Sequence, residues 1–166
     1  MYMVDNIVLF RHGKAQDKGS SIPDEFRQLT EEGIVSLQSE MIGLMNMLPE
    51  DLNIQIWASP LKRSLETAEI IDSYLKSQNI IIYDFIGSGA YSALINELRT
   101  CSKDMVLIAG HEPWLGDWSK RMTGCQLPFK KGAAALLKPD SSFDKFDISW
   151  FLQPYALAEL SCKIKR

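Results

Sequence analysis
Four short apolar runs, Ile7 to Phe10, Ile54 to Ala58, Ile80 to Ile86 and Met105 to Ala109, recur along the chain with helical patterning between them. This alternation constrains the fold more than any other feature. Each run is bounded by polar or turn residues and reads as a short strand. After the first strand and a polar loop from Lys14 to Gln28, Leu29-Thr30-Glu31-Glu32 predicts a helix with Thr30 as N-cap, acids in its first turn and a Leu29–Ile34 staple. Ile34, Leu37, Met41, Leu44, Met45 and Leu48 follow at helical spacing as a core stripe, and Pro49 ends the helix. Ser59 as N-cap and Pro60 at the first helical position predict a second helix reaching about Lys76. Two more are expected from Tyr91 to Thr100 and from Pro113 to Met122. Strands alternating with helices imply a three-layer α/β/α sandwich around a mostly parallel sheet. The final segment differs: Ala133 to Leu137 is apolar, Pro139 to Ser142 is turn-rich, and Phe146, Ile148, Trp150 and Leu152 alternate. These features predict a strand pair that closes one edge antiparallel.

Repeats, low-complexity tracts and linkers are not visible, so one domain is expected over residues 1–166. Hydrophobic residues make up 46% and charged residues 23%, ordinary globular usage that excludes the disordered and membrane classes. A net charge of −3 without a basic stripe argues against a nucleic-acid platform. The small clusters Lys130, Lys131 and Lys163 to Arg166 read as solvated surface. Cys101, Cys125 and Cys162 are odd in number and form no C-x-x-C pair, which fits reduced thiols and a cytoplasmic protein. Asp5 comes early and no apolar stretch approaches the ~20 residues that span a bilayer, so no membrane partner is expected.

The chemistry-bearing residues sit where the strands end. The first run leads straight into Arg11, His12 and Gly13, Arg63 lies in the first turns of the helix after the second strand, and His111 follows the fourth strand after Gly110. Carboxyl ends of parallel strands share one rim, where open α/β sheets bind ligands. Two guanidinium forks and two imidazoles around one point make a pocket for a dianionic oxyanion, with the helix start at Ser59 and Pro60 adding its dipole. Taken singly, either histidine reads as a structural, hydrogen-bonded residue; the combination with both arginines points to catalysis. Gly87-Ser88-Gly89 lacks the third glycine of a dinucleotide loop, since Ser92 stands there, and reads as a turn. His111-Glu112 begins like a zincin motif, yet Leu115 stands where its second histidine would be, so neither a metal nor another cofactor is expected. Trp114 and Trp118 read as core packing, with Trp114 able to line the pocket rim.

Three segments together resemble a known family. Leu9-Phe10-Arg11-His12-Gly13-Lys14-Ala15, then Ser59-Pro60-Leu61-Lys62-Arg63-Ser64 with Thr67-Ala68, then Gly110-His111-Glu112-Pro113, are similar to the signature segments of the histidine phosphatase superfamily, which has the phosphoglycerate-mutase-like fold. Within it the chain most resembles the small SixA-type phosphohistidine phosphatases, over roughly residues 5 to 153. The resemblance implies that His12 is a nucleophile that becomes transiently phosphorylated, that Arg11 and Arg63 hold the phosphoryl oxygens, and that His111 completes the pocket. Phe85 to Asn96 contains no acidic residue to protonate the leaving group. In the SixA-type pattern an aspartate precedes an Arg-x-Leu-Thr segment, and here Asp24 precedes Arg27-Gln28-Leu29-Thr30. Asp24 is therefore the candidate general acid, with Glu25 as its neighbouring rival.

An imidazole attacking phosphorus in line needs its other ring nitrogen fixed, for which a backbone carbonyl suffices. The remaining catalysis is positioning and stabilisation of charge on the equatorial oxygens. Imidazole leaves phosphorus readily once protonated, so a weakly placed acid would serve phosphohistidine well and alkyl phosphates poorly. About fifty residues separate Arg63 from His111. They are taken up by sheet and helices, which leaves no lid and an open pocket. Both points favour a phosphohistidine-bearing protein as substrate. The alternatives are a phosphomonoesterase of the same superfamily acting on a sugar or nucleotide phosphate, and a phosphohistidine-binding signalling module without turnover. The presence of His12 argues against the second, and a magnesium-binding receiver would need acids where Arg11 and His12 stand.

Overall fold
The structure is a computed structural model that describes residues 3–163; of the basic run expected as solvated surface, residues 164–166 lie outside it. Strands β1 (Asn6–Arg11), β2 (Ile54–Ala58), β3 (Ile80–Ile82), β4 (Met105–Gly110), β5 (Ala134–Pro139) and β6 (Phe146–Leu152) form one sheet in the order β3-β2-β4-β1-β5-β6. β1 to β4 are mutually parallel where they pair, and β5 and β6 extend the β1 side antiparallel. The mostly parallel sheet with an antiparallel edge is thus as expected.

Helices cover both faces. Val8, Phe10, Leu107 and Ala109 face the layer of α1 (Glu31–Met47), α2 (Lys62–Leu75) and α6 (Pro154–Lys163). Ile7, Leu9, Val106 and Ile108 face α3 (Asp84–Ser88), α4 (Tyr91–Thr100) and α5 (Trp114–Thr123). Burial on both faces explains why these strands read as unbroken apolar runs rather than alternating ones. Each fully buried Leu, Ile or Phe is worth about 1.5–3 kcal/mol, so β1 and β4, buried along almost their whole length, anchor the sheet.

The Thr30 side chain accepts the Gly33 N–H at 3.0 Å, the expected cap of α1. Of the expected stripe, Leu37, Met41, Leu44 and Leu48 are buried, whereas Met45 is exposed. The reason is α6, a helix not among those expected from the sequence. It docks on the Gly43 side of α1, where a Cβ at position 43 would lie 1.9 Å from the Leu157 carbonyl oxygen. The buried arc of α1 is therefore rotated towards Glu40 and Gly43 and away from Met45.

Three further expectations are corrected. β3 stops at Ile82, not Ile86: the Tyr83 N–H makes a last bond to Ala58 O at 2.9 Å, and the chain then turns into α3. Consecutive Phe85 and Ile86 both pack into one cluster, which helical but not strand geometry allows. Gly87-Ser88-Gly89 accordingly forms the end of α3, with Gly89 at φ 75° as its left-handed cap, rather than a free turn. α2 begins at Lys62 behind an extended Ser59-Pro60-Leu61 lead, so Ser59 is not its N-cap. Its hydroxyl is engaged elsewhere.

One buried acid stands out. Glu40 is 1% exposed; Ser36 Oγ donates to its Oε1 at 3.2 Å, and Oε2 has no partner. Burial pushes its pKa from 4.5 up to about 8. In the unfolded chain the carboxyl ionises near its ordinary value, while the folded state keeps the proton until about pH 8. Stability is therefore lost as pH rises through that window. Glu40→Gln should stabilise the protein by about 3 kcal/mol near neutral pH, at about 1.4 kcal/mol per pKa unit. Denaturant melts at several pH values check this: a stability difference that fails to grow between about pH 5 and 8 would mean that Glu40 ionises freely in the fold.

Candidate active site
β1 and β4 lie side by side in register, with Arg11 opposite Gly110. The chain leaves β1 towards α1 on one face and leaves β4 towards α5 on the other. The two connections part at this point and open a crevice beyond the strand ends, the topological switch point of an open sheet. His12 and His111 are the first residues past those ends. Their ring centroids lie 5.0 Å apart, and both side chains are buried.

His12 is fixed from several directions. Its backbone N–H donates to Gly110 O at 3.0 Å. Its Nδ1 lies 2.7 Å from Gly13 O. A carbonyl oxygen only accepts, so Nδ1 carries the proton and Nε2 keeps its lone pair. The Gly13 N–H in turn donates to Thr67 Oγ1 at 3.2 Å, and Thr67 donates to Arg63 O at 2.7 Å. α2 thus holds both the histidine loop and Arg63. The Arg63 Nε–H donates to His12 Nε2 at 3.3 Å, while its other nitrogens donate to Asp24 O at 2.8 Å and Asp24 Oδ2 at 3.2 Å.

Across the crevice, His111 Nε2 meets Ser59 Oγ at 2.5 Å. That oxygen also accepts the Leu61 N–H at 3.3 Å, and its own hydrogen meets no acceptor but Nε2 among the described residues. This arrangement gives His111 its proton at Nδ1, a buried atom without a protein partner. Arg11 is anchored by one nitrogen on Phe129 O at 2.7 Å, and its buried Nε also lacks a partner.

The cavity bounded by these groups has a volume of about 280 Å³. It brings together every expected site residue, Arg11, His12, Asp24, Arg63 and His111, and excludes Glu25, which is exposed. Trp114 is not part of its wall; its indole N–H donates to Gly87 O at 3.0 Å. Arg27 and Glu112 are among the wall residues that had no assigned role from sequence. Arg27, in the Arg-x-Leu-Thr segment, pairs with Asp24 at 2.7 Å. Glu112 stood in the quoted motif beside His111, and its position after a strand end was the signal that it faces the same crevice.

Burial dominates the electrostatics. Desolvation, with the neighbouring His111, Arg63 and Arg11 charges, pushes the His12 pKa down to about 3 despite the Gly13 bond. Desolvation and Arg63 do the same for His111. The two carboxylates diverge. Burial raises Asp24, but hydrogen bonds and charge from Arg27 and Arg63 outweigh it and hold the group below its usual range. For Glu112, burial prevails over the Gly116 N–H and the Arg11 charge and raises the pKa. Cationic side chains on the wall outnumber acidic ones, and the site suits a phosphate-like anion held by guanidinium forks. No group of three or more His, Cys, Asp or Glu that could hold a metal ion is found among the described residues.

Comparison with known proteins bears on the fold. No protein-family model matches the chain. An uncharacterized protein of Picosynechococcus sp. is 28% identical over 138 residues, 75% of this chain and 79% of that protein. The structure of the protein histidine phosphatase SixA complexed with tungstate superimposes with a TM-score of 0.72 at 22% identity, covering 92% of this chain and 99% of that one. A SixA protein from Agrobacterium tumefaciens gives 0.72 at 21%, covering 91% and 99%. A phosphoglycerate mutase from Bacillus anthracis gives 0.68 at 12%, covering 96% and 97%. The chain therefore has the phosphoglycerate-mutase-like fold in the form taken by SixA proteins. No helix of the described residues is long and apolar enough to cross a membrane.

The tautomers are open to direct measurement. In ¹⁵N-resolved spectra of ring-labelled protein, His12 is expected as the Nδ1–H form, with neither histidine protonating between about pH 5 and 8. A midpoint near the ordinary value of 6.5 for His12 would contradict its burial and the Gly13 lock.

Proposed function
We propose that this protein is a phosphatase of the histidine phosphatase superfamily that removes phosphate from protein phosphohistidine through a covalent intermediate on His12. The observation that carries the reading is the His12 ring: Nδ1–H is held by Gly13 O, and the unprotonated Nε2, whose lone pair meets only the Arg63 Nε–H at 3.3 Å, lies among Arg11, Arg63 and His111. A buried imidazole that stays neutral is a nucleophile at any physiological pH.

The incoming phosphoryl group takes over the Arg63 Nε–H, and its oxygens receive the Arg11 Nε–H and the His111 Nδ1–H, two donors that otherwise lack partners. The Nε2 pair forms a bond to phosphorus, and the bond from phosphorus to the leaving nitrogen breaks with its electrons. That nitrogen takes a proton from a carboxylic acid of the pocket wall. Water then attacks phosphorus and the P–Nε2 bond breaks. The carboxylate recovers its proton from the water, and phosphate departs. The arginines meet the charge on the transferring oxygens, so the scheme needs no metal or other cofactor.

Asp24 and Glu112 compete for the acid role. A general acid has to hold a proton near the working pH. Asp24, bonded to arginines through both oxygens, is kept as a carboxylate, whereas the Glu112 pKa is raised. The electrostatics favour Glu112 as donor and give Asp24 the task of aligning Arg63. The substrate reading rests on access. The chain between Arg63 and His111 is occupied by α2, β3, α3, α4 and β4, and the pocket lies open to a side chain on another protein, as in a cytoplasmic signalling phosphatase.

His12→Ala should abolish turnover of a phosphohistidine protein without unfolding the chain, and wild type mixed briefly with labelled substrate should carry an acid-labile, base-stable label even in excess chelator. Variant activity near wild type, or turnover that metal alone restores, excludes the scheme. Higher kcat/KM for a sugar phosphate than for a phosphohistidine protein would move the assignment to a small-molecule phosphomonoesterase.

The acid is identified by leaving-group dependence. Glu112→Gln should harm an alkyl phosphate most, phosphohistidine less and p-nitrophenyl phosphate least, while Asp24→Asn should lower all three alike. The opposite pattern would return the donor role to Asp24.

A further inference from the structure
Behind Arg11 lies a second and larger cavity, of about 450 Å³, between the start of α1 and the loop that enters β5. Arg11 and Lys131 line both this cavity and the one that holds His12, so the two hollows share a wall. The charges on its lining are Arg11, Lys14, Glu32, Glu40, Lys130 and Lys131; α6, which packs along α1, contributes only Pro154. Lys14 and Glu32 pair with each other. That leaves three cations against a single acid, Glu40, which is buried, has Oε2 unpartnered and rests against Gly132, where any Cβ would come within 2.8 Å of the carboxyl oxygens.

We propose that this cavity is a second anion subsite, which receives a carboxylate or phosphate group carried by the substrate beside the phosphoryl group to be removed. The inference rests on the phosphatase reading above and adds a substrate preference to it. Two observations carry it: the excess of cations around a cavity contiguous with the phosphate pocket, and a deeply buried polar atom that no protein group satisfies. A buried unpartnered carboxyl oxygen is unfavourable in the empty protein and is relieved by a ligand. An anion facing protonated Glu40 accepts its hydrogen, while Lys130 and Lys131 supply the charge. The same raised pKa that destabilises the fold keeps that proton in place at neutral pH. On a phosphoprotein the second anion would be an aspartate or glutamate close to the phosphohistidine; on a small substrate it would be a second phosphate.

The test compares p-nitrophenyl phosphate, which has no second anion, with two matched pairs: histidine peptides phosphorylated by phosphoramidate with Asp/Glu or Asn/Gln flanks, and a sugar bisphosphate against its monophosphate. Wild type should prefer the doubly anionic member of at least one pair by about tenfold in kcat/KM, and the preferred pair identifies the source of the anion. Lys130→Glu should remove that preference while leaving p-nitrophenyl phosphate turnover unchanged. Glu40→Gln should retain it at neutral pH and carry it above pH 8, where wild type loses it. Equal rates within both pairs, with p-nitrophenyl phosphate still hydrolysed, overturn the subsite alone. A preference for basic flanks that Glu40→Gln removes overturns it too, by making the cavity a cation site. Absence of turnover of all these substrates by wild type, the phosphohistidine peptides included, removes the phosphatase reading and the subsite with it.

Discussion
The parallel pairing of β1 with β4 is the constraint on which the rest of the molecule depends. Its register puts Arg11 opposite Gly110, so the next residue on each strand is a histidine. Because the two connections then depart to opposite faces, a crevice opens beyond the strand ends, and both imidazoles line it. A slip of one residue would turn every side chain of β1 to the other face and break both clusters, so the hydrophobic core itself fixes the distance between the rings. The position of the candidate nucleophile is thus a by-product of how Ile7, Leu9, Val106 and Ile108 pack on one side and Val8, Phe10, Leu107 and Ala109 on the other.

The site is built in a state that favours occupation. Two buried imidazoles are held neutral, and Arg11 Nε and His111 Nδ1 lack protein partners. Buried donors without acceptors are unfavourable by about 1–3 kcal/mol each, and an oxyanion that meets several at once relieves them together. Preorganised donors of this kind require no rearrangement as charge develops on a transferring phosphoryl group. The Asp24 carboxylate fits the same logic. It aligns Arg63 and Arg27 without giving up its own charge, and it leaves Glu112 as the carboxyl group whose surroundings favour the proton.

Much of this was legible before any coordinates. β2 and α4 match their expected bounds residue for residue, and the α1 cap, the sheet type and the antiparallel edge follow from local pattern. Local pattern failed where a tertiary neighbour decided the outcome. Met45 satisfies the helical period yet is exposed, because α6 claims the adjacent face of α1. Ile80 to Ile86 is apolar enough for one strand, yet β2 ends at Ala58 and offers nothing more to pair with. Ser59 has the chemistry of a helix cap, yet His111 engages its hydroxyl.

The order of strand-end residues, Arg11 and His12, then Arg63, then His111, and the topology that gathers them, were determined by the sequence itself, because hydrophobic periodicity and turn chemistry act over a few residues and leave strand ends predictable. Which ring nitrogen carries the proton, which carboxyl group keeps one, and that Arg11 separates two cavities were decided only by the tertiary structure. Those properties depend on desolvation and on partners distant in the chain: Gly110 against His12, Ser59 against His111, Asp24 against Arg63 and Glu40 against Gly132. Burial is a sum over such long-range neighbours, and no local stretch of sequence contains it.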